Sequence, residues 1–328
     1  MLRTAPPRLA DIQRPVQSRL EGVFTELRRI VLSDFPAIEE VNDYLLVMRG
    51  KLFRPTLLLL SNEVGGSPNP AAVTLSAIVE LVHLATLVHD DAVDHSVLRR
   101  GMPTVSALWN HQSAIIMGDY LYSRSIMELA EFGDVEPIRV LSRAANEMSV
   151  GEMRQLASCD ALGYTEAEYY RLIACKTASL MSAACELGAL VGDDRYREPL
   201  ARFGHALGMA FQIVDDLLDY TETEAVTGKP SGHDLREHKV TLPLIAALAE
   251  MDGAARREVE EFFAVPEPTD DGIVRVIELV ERHGGLEYAR RRAVEYGTEA
   301  VEVLSSLPPG ESTEALRDAV AYVIDRRR

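Results

Sequence analysis

The segment AAVTLSAIVELVHLATLVHDDAVD, residues 71–94, contains neither glycine nor proline and follows Asn69-Pro70, a capping residue and a helix-opening proline. It predicts one long helix from Pro70 to about Val93. At about 100° per residue, with Asp94 at zero, Ser76 falls near 0°, His83 near −20°, Asp90 near −40°, Glu80 near +40° and Asp91 near +60°. A polar stripe therefore runs down a helix whose other faces are Val79, Leu81, Val82, Leu84, Ala85, Val88 and Val93. Asp90 and Asp94 stack one turn apart. Like charges so placed repel, more strongly where buried, and need a neutralising cation. Magnesium suits, since it takes one or two carboxylates and completes its shell with water and phosphate oxygens. The plainer alternative is a solvated acidic helix end. Residues 71–88 approach bilayer-spanning length, but Glu80, His83 and the run into His89-Asp90-Asp91 fit a buried functional helix better than a lipid-facing one.

The same arrangement recurs at Asp215-Asp216-Leu217-Leu218-Asp219, with Gly204, Gly208, Phe211 and Gln212 on the same helix face. A glycine inside a helix costs about 1 kcal/mol against alanine, so Gly204 and Gly208 mark a close approach, most commonly of another helix. Helical patterns also cover 106–132, 137–159, 165–191, 199–220, 242–264, 272–283, 286–304 and 312–326. Breaks carry turn chemistry at Gly65-Gly66-Ser67-Pro68, Pro266-Glu267-Pro268 and Pro308-Pro309-Gly310. No alternating strand, repeat or low-complexity linker stands out. The expectation is one all-α domain over residues 1–328, with residues 1–8 loose.

The net charge of −17 argues against nucleic acid and repels any anionic ligand on average. A phosphate-bearing ligand would need metal cations and local basic residues. Of 34 lysines and arginines only Lys51, Lys176, Lys229 and Lys239 are lysines. Against an arginine background, each suggests a place for a compact ammonium rather than a planar fork. Cys159, Cys175 and Cys185 are too few for a disulfide framework. The N-terminus has no apolar signal-like core. A reduced, cytoplasmic chain is the reading, with any membrane contact peripheral and serving product release.

Past the first cluster come Arg99-Arg100-Gly101, two arginines that could grip different phosphate groups bidentately. Past the second come Gly228-Lys229-Pro230, Asp234-Leu235 and Lys239-Val240-Thr241-Leu242-Pro243. Together with Gly50-Lys51-Leu52-Phe53-Arg54-Pro55, Glu80-Leu81-Val82-His83, Gly118-Asp119-Tyr120-Leu121, Lys176-Thr177 and Phe211-Gln212, this ordered series resembles the trans-prenyl diphosphate synthase (polyprenyl synthetase) family. The resemblance runs from about Asn42 to the arginine-rich terminus.

The resemblance implies a homodimer of all-helical bundles, each around a central cavity (the isoprenoid synthase fold). It implies magnesium, about three ions, bridging to an allylic diphosphate. Asp90, Asp94 and Asp215 would be the main ligands, and Asp91, Asp216 and Asp219 would support them directly or through water. Arg99, Lys176, Thr177, Gln212, Lys229 and Lys239 would contact the allylic substrate. Lys51, Arg54, His83 and Arg100 would hold the diphosphate of isopentenyl diphosphate. Two departures stand beside ligands, Arg49 and His238, where the family usually has glycine. Small residues at Thr86 and Ala85, four and five positions before the first cluster, imply an open tunnel floor and a long product, roughly C30 to C50. Met117 or Tyr122 could still close the tunnel, and a geranylgeranyl product is the alternative. A class I terpene cyclase would usually carry a different second metal motif. A silent subunit of a heteromeric synthase would have lost aspartates.

Overall fold

The structure is a computed structural model that describes residues 6–48, 50–157, 162–221 and 232–326. Arg49, Cys159, Gly228, Lys229 and Pro230 lie outside the described residues. The helices are α1 (Leu9–Gln13), α2 (Gln17–Val31), α3 (Pro36–Val47), α4 (Phe53–Glu63), α5 (Ala72–Val93), α6 (Val105–Leu108), α7 (His111–Glu131), α8 (Val135–Ala157), α9 (Glu166–Ile173), α10 (Ser179–Val191) and α11 (Arg197–Thr221). After them come α12 (His233–Arg236), α13 (Leu242–Glu250), α14 (Gly253–Phe263), α15 (Asp270–Arg282), α16 (Gly285–Leu304) and α17 (Glu311–Ile324). A two-strand hairpin, β1 (Leu98–Arg99) against β2 (Met102–Pro103), is the sole sheet among the described residues. Its two linking residues, Arg100 and Gly101, both have left-handed φ (53° and 75°), as in a type I′ turn.

The long helix expected from Pro70 forms as α5, and Asn69 Oδ1 accepts the Ala71 N–H at 2.9 Å. It is apolar and long enough to cross a bilayer, yet more than half of it is buried against protein. It packs on α2, α4 and α7. Two expected helices are each broken, and a third, 165–191, is interrupted by a π-helical turn at 174–178. The run 106–132 divides at Asn110, whose side chain accepts the Ser113 N–H and starts α7. The run 242–264 divides at Asp252, which accepts the N–H groups of Ala254 and Ala255 and starts α14. The sequence reading placed no helix before Pro70, whereas α1 to α4 lie there. Their prolines do not disrupt them, since Pro36 opens α3 and Pro55 sits in the first turn of α4.

The largest apolar cluster joins α2, α4, α5, α7, α10 and the first half of α11 through residues such as Leu57, Leu60, Ile78, Leu81 and Phe203, all fully buried. Two further clusters continue it, one around Ile213 and Leu242 and one around Leu244, Val259 and Phe262. Gly204 and Gly208 serve helix packing, as expected. A Cβ at Gly204 would come within 2.6 Å of the Met181 carbonyl oxygen, and one at Gly208 within 2.5 Å of Ala178 Cα. The second contact matters for function. Residues 174–178 form a π-helical turn between α9 and α10, and Gly208 lets this wider turn rest directly on α11. That turn carries Lys176 and Thr177.

Candidate active site

The C-terminal ends of α5 and α11 bring the two aspartate clusters to one region. Lys239 joins them, its Nζ 3.7 Å from Asp94 Oδ2 and 2.6 Å from Glu237 Oε2. Burial lowers the Lys239 pKa, but the bond to Glu237 and the charges of Glu237, Asp94 and Asp234 raise it overall. Lys176 Nζ lies 2.5 Å from Glu152 Oε2 and 3.0 Å from Gln155 Oε1, both on α8. Asp90 faces this pair. Burial, with Glu152 and Asp94 nearby, pushes its carboxyl up to about 6 despite Lys176 and Arg99.

The six aspartates do not have equal surroundings. Asp91 is buried and gripped by Arg99, whose Nε is 2.8 Å from both carboxylate oxygens and whose Nη2 is 2.7 Å from one. Asp216 is buried, accepting from Tyr169 Oη at 2.6 Å and Gln212 Nε2 at 2.8 Å. Burial and the neighbouring Asp234 raise its pKa far above the usual carboxylate range. Thr177 Oγ1 donates to Gln212 Oε1 at 2.7 Å, so the π-turn and the second cluster share one hydrogen-bonded chain. The two oxygens of Asp219 accept the backbone N–H groups of His233 (3.1 Å) and Asp234 (2.9 Å), fixing the start of α12. Asp215 pairs with Arg326 at 2.5 Å, and that guanidinium lies 4.3 Å above the Phe211 ring. Asp91, Asp216 and Asp219 thus tie down neighbouring elements of the site.

A second group assembles around the start of α4. Burial pushes the Arg54 guanidinium down to about 10, with Arg100 adding to the fall and Glu80 opposing it. His83 is held well below its ordinary pKa by burial and by the charges of Arg54, Arg100 and Arg99. Arg100 Nη1 donates to the Met48 carbonyl at 3.0 Å, and its guanidinium lies where a Cβ on Gly50 would come within 2.9 Å of it. Lys51 is exposed at the rim. Cations that depress one another's pKa, with Arg54 Nε lacking a hydrogen-bond partner, describe a pocket short of negative charge. Arg99 contacts Asp91, whereas Arg100 contacts the Met48 carbonyl beside Gly50.

Among the described residues, four that are not glycine have left-handed φ, namely Leu52, His95, Arg100 and His238 (51–53°). Each adjoins a residue named above, and backbone held in this region concentrates at functional sites. The sequence reading did not single out Glu152, Tyr169, Arg326 or Asp234 as site residues. Tyr169 stands seven residues before Lys176, two helical turns along the same face, which is a signal too common to act on alone. Lys229 lies outside the described residues.

An all-α bundle that sets two aspartate clusters across one lysine, beside a separate charge-starved arginine pocket, defines an enzyme that handles diphosphates. The chain belongs to the polyprenyl synthetase family, whose sequence pattern it matches over residues 35–280. It is 36% identical over 96% of its length to an all-trans-nonaprenyl-diphosphate synthase (geranyl-diphosphate specific) from Rhodobacter capsulatus, covering 97% of that protein. Among solved structures it is similar to a polyprenyl synthase from Caulobacter crescentus CB15 complexed with calcium and isoprenyl diphosphate (TM-score 0.93, 31% identity, 99% of both chains). It is also similar to a decaprenyl diphosphate synthase from Rhodobacter capsulatus (TM-score 0.92, 36% identity, 98% of this chain and all of that one). The fold is the isoprenoid synthase fold, and the chain is a prenyl diphosphate synthase, a transferase.

Proposed function

We propose that this chain, as one continuous domain, condenses isopentenyl diphosphate with an allylic diphosphate head to tail into a long all-trans polyprenyl diphosphate. The observation that carries this reading is the pairing of two half-sites of opposite need, carboxylates seeking cations and arginines seeking anions. Two diphosphates, one at each, mean chain elongation.

The donor set fits magnesium. It consists of carboxylate oxygens, and burial of Asp90 raises its carboxyl to about 6, so a bound cation would relieve a charge held at a cost. Among the described residues no three carboxylate, histidine or cysteine side chains converge on one point, so each ion would take few protein ligands and keep waters and phosphate oxygens. The calcium and isoprenyl diphosphate named with the Caulobacter structure support a divalent ion here too. Asp90, Asp94 and Asp215 would hold about three ions between them. Magnesium would supply positive charge to the leaving diphosphate.

The chain's own residues do the rest. Lys176, Lys239, Arg99 and Lys229, with Thr177 and Gln212, bind and orient the allylic diphosphate. Lys51, Arg54, His83 and Arg100 fix the diphosphate of isopentenyl diphosphate so that its double bond faces the allylic carbon. The allylic carbon–oxygen bond breaks, and the diphosphate leaves with the electron pair. The isopentenyl double bond then forms the new carbon–carbon bond, and one proton passes to the released diphosphate. Apolar walls keep out water that would quench the cation.

Product length follows from the floor. Ala85 is buried and small, and Thr86 turns its hydroxyl back onto the His83 carbonyl at 2.7 Å, so neither residue supplies a bulky group below the first cluster. Incubation with labelled isopentenyl diphosphate should give products of roughly C30 to C50, and Ala85→Phe should shorten them. A native product that stops at geranylgeranyl would overturn the long-chain reading. A homodimer is the working assembly, supported by exposed apolar residues on α7 (Ile115, Ile116) and α8 (Val150, Met153, Leu156). The mass in solution should be twice that of the chain, and a monomer at assay concentration would remove this assignment. The setting is cytoplasmic.

A further inference from the structure

We propose that His238 is a positioning residue, a ring anchor that holds Lys239 at its place between the two aspartate clusters. His238 stands where the family resemblance leads one to expect glycine, and the structure shows why glycine is the easier choice. Its φ is +53°, a left-handed conformation that a side chain makes unfavourable. The backbone that imposes it is well defined, since the His238 N–H donates to the Leu235 carbonyl at 3.1 Å and the Lys239 N–H to the Asp234 carbonyl at 2.7 Å. The turn that ends α12 is thus kept despite a residue that opposes it.

The side chain offers a return for that opposition. The His238 ring sits edge-on to Phe263 at a centroid distance of 5.3 Å and tilted against Phe262 at 6.1 Å, while the two phenylalanines meet each other at 5.5 Å. Phe262 is buried in the cluster built by α13, α14 and α15. The imidazole therefore clamps the loop to α14, one residue before the lysine whose Nζ reaches Asp94. Its Nε2 is buried and has no hydrogen-bond partner, so the ring acts through its faces and edges rather than through a polar bond. A glycine at this position would keep the turn and lose the clamp.

This inference rests on the reading of Lys239 as a contact of the allylic diphosphate, and its test separates the two. Three lysines lie among the described residues, so the acylation rate of each by a lysine-directed reagent can be followed by mass spectrometry in one sample. His238→Gly and His238→Asn, both compatible with left-handed backbone, should raise the acylation rate of Lys239 about three- to tenfold while Lys51 and Lys176 stay unchanged. His238→Phe should restore the slow rate, and Phe263→Ala should mimic the loss without adding to it in the double variant. In turnover, His238→Gly should raise the KM for the allylic diphosphate by a similar factor and leave that for isopentenyl diphosphate alone. Unchanged Lys239 acylation in both His238→Gly and His238→Asn overturns the proposal, as does an equal rise at all three lysines. If the acylation shifts appear but the allylic KM does not move, the clamp stands and the role of Lys239 fails.

Discussion

Asp90→Asn should lower turnover about a thousandfold or more, while making the metal-free protein more stable. The two effects have one origin. In the metal-free protein Asp90 has its carboxyl raised to about 6 by burial, with Glu152 and Asp94 contributing, against an unfolded value of about 3.9. Between those values the folded chain binds more protons than the unfolded chain, so this group's contribution to stability falls as pH rises through that window. An amide of the same shape carries no such charge, and its denaturation midpoint should exceed the parent's at pH 7 by an amount equivalent to about 1 kcal/mol. Saturating magnesium should reverse the order, because the parent gains a ligand-linked stabilisation that the variant has lost. Calorimetry of both proteins with and without magnesium checks this. A variant that keeps near-normal turnover takes Asp90 out of the metal site. One that is less stable without metal contradicts the electrostatic account.

Why Asp90 and Asp94 were legible in the sequence, and the differing roles of the middle aspartates were not, comes down to the range of the interactions. An i, i+4 carboxylate pair on a helix is a local pattern, and α5 is a helix because nothing within it breaks one. The partner of Asp91 lies eight residues away on a hairpin, and that of Asp216 lies 47 residues away on another helix. No periodicity encodes those meetings. The same holds for Asp219, whose oxygens start α12. Helix breaks failed for a different reason. Asn110 and Asp252 cap new helices without interrupting the apolar period, so a reading of hydrophobic spacing passed through them. The four lysines were informative because lysine is scarce here. Lys176 and Lys239 each come paired with a carboxylate that the sequence did not single out, Glu152 and Glu237.

The arginine pocket gives the second large effect. Arg54→Ala should raise the KM for isopentenyl diphosphate about a hundredfold and leave the allylic KM within about twofold. Arg54 is half-buried as a residue, and desolvation of its guanidinium pushes its pKa down to about 10, so its charge is held at a cost that a bound diphosphate relieves. Lys51 is exposed at the rim, and Lys51→Ala should cost about tenfold at most, since solvent screens a charge placed there. Loss of Arg54 also leaves Glu80, whose carboxyl burial already raises, with Arg100 as its remaining counter-charge. The variant should therefore lose about 1–3 kcal/mol of stability at pH 7, less at lower pH where Glu80 takes up a proton. His83 should titrate closer to its ordinary value, because the positive charge that follows burial in holding it down is gone. Arg54→Lys should recover most of the stability and little of the affinity, since an ammonium on a shorter reach does not reproduce a bidentate fork. Initial rates against each substrate in turn, with urea unfolding of the same proteins, measure all of this. A rise confined to the allylic KM would exchange the assignments of the two diphosphate sites.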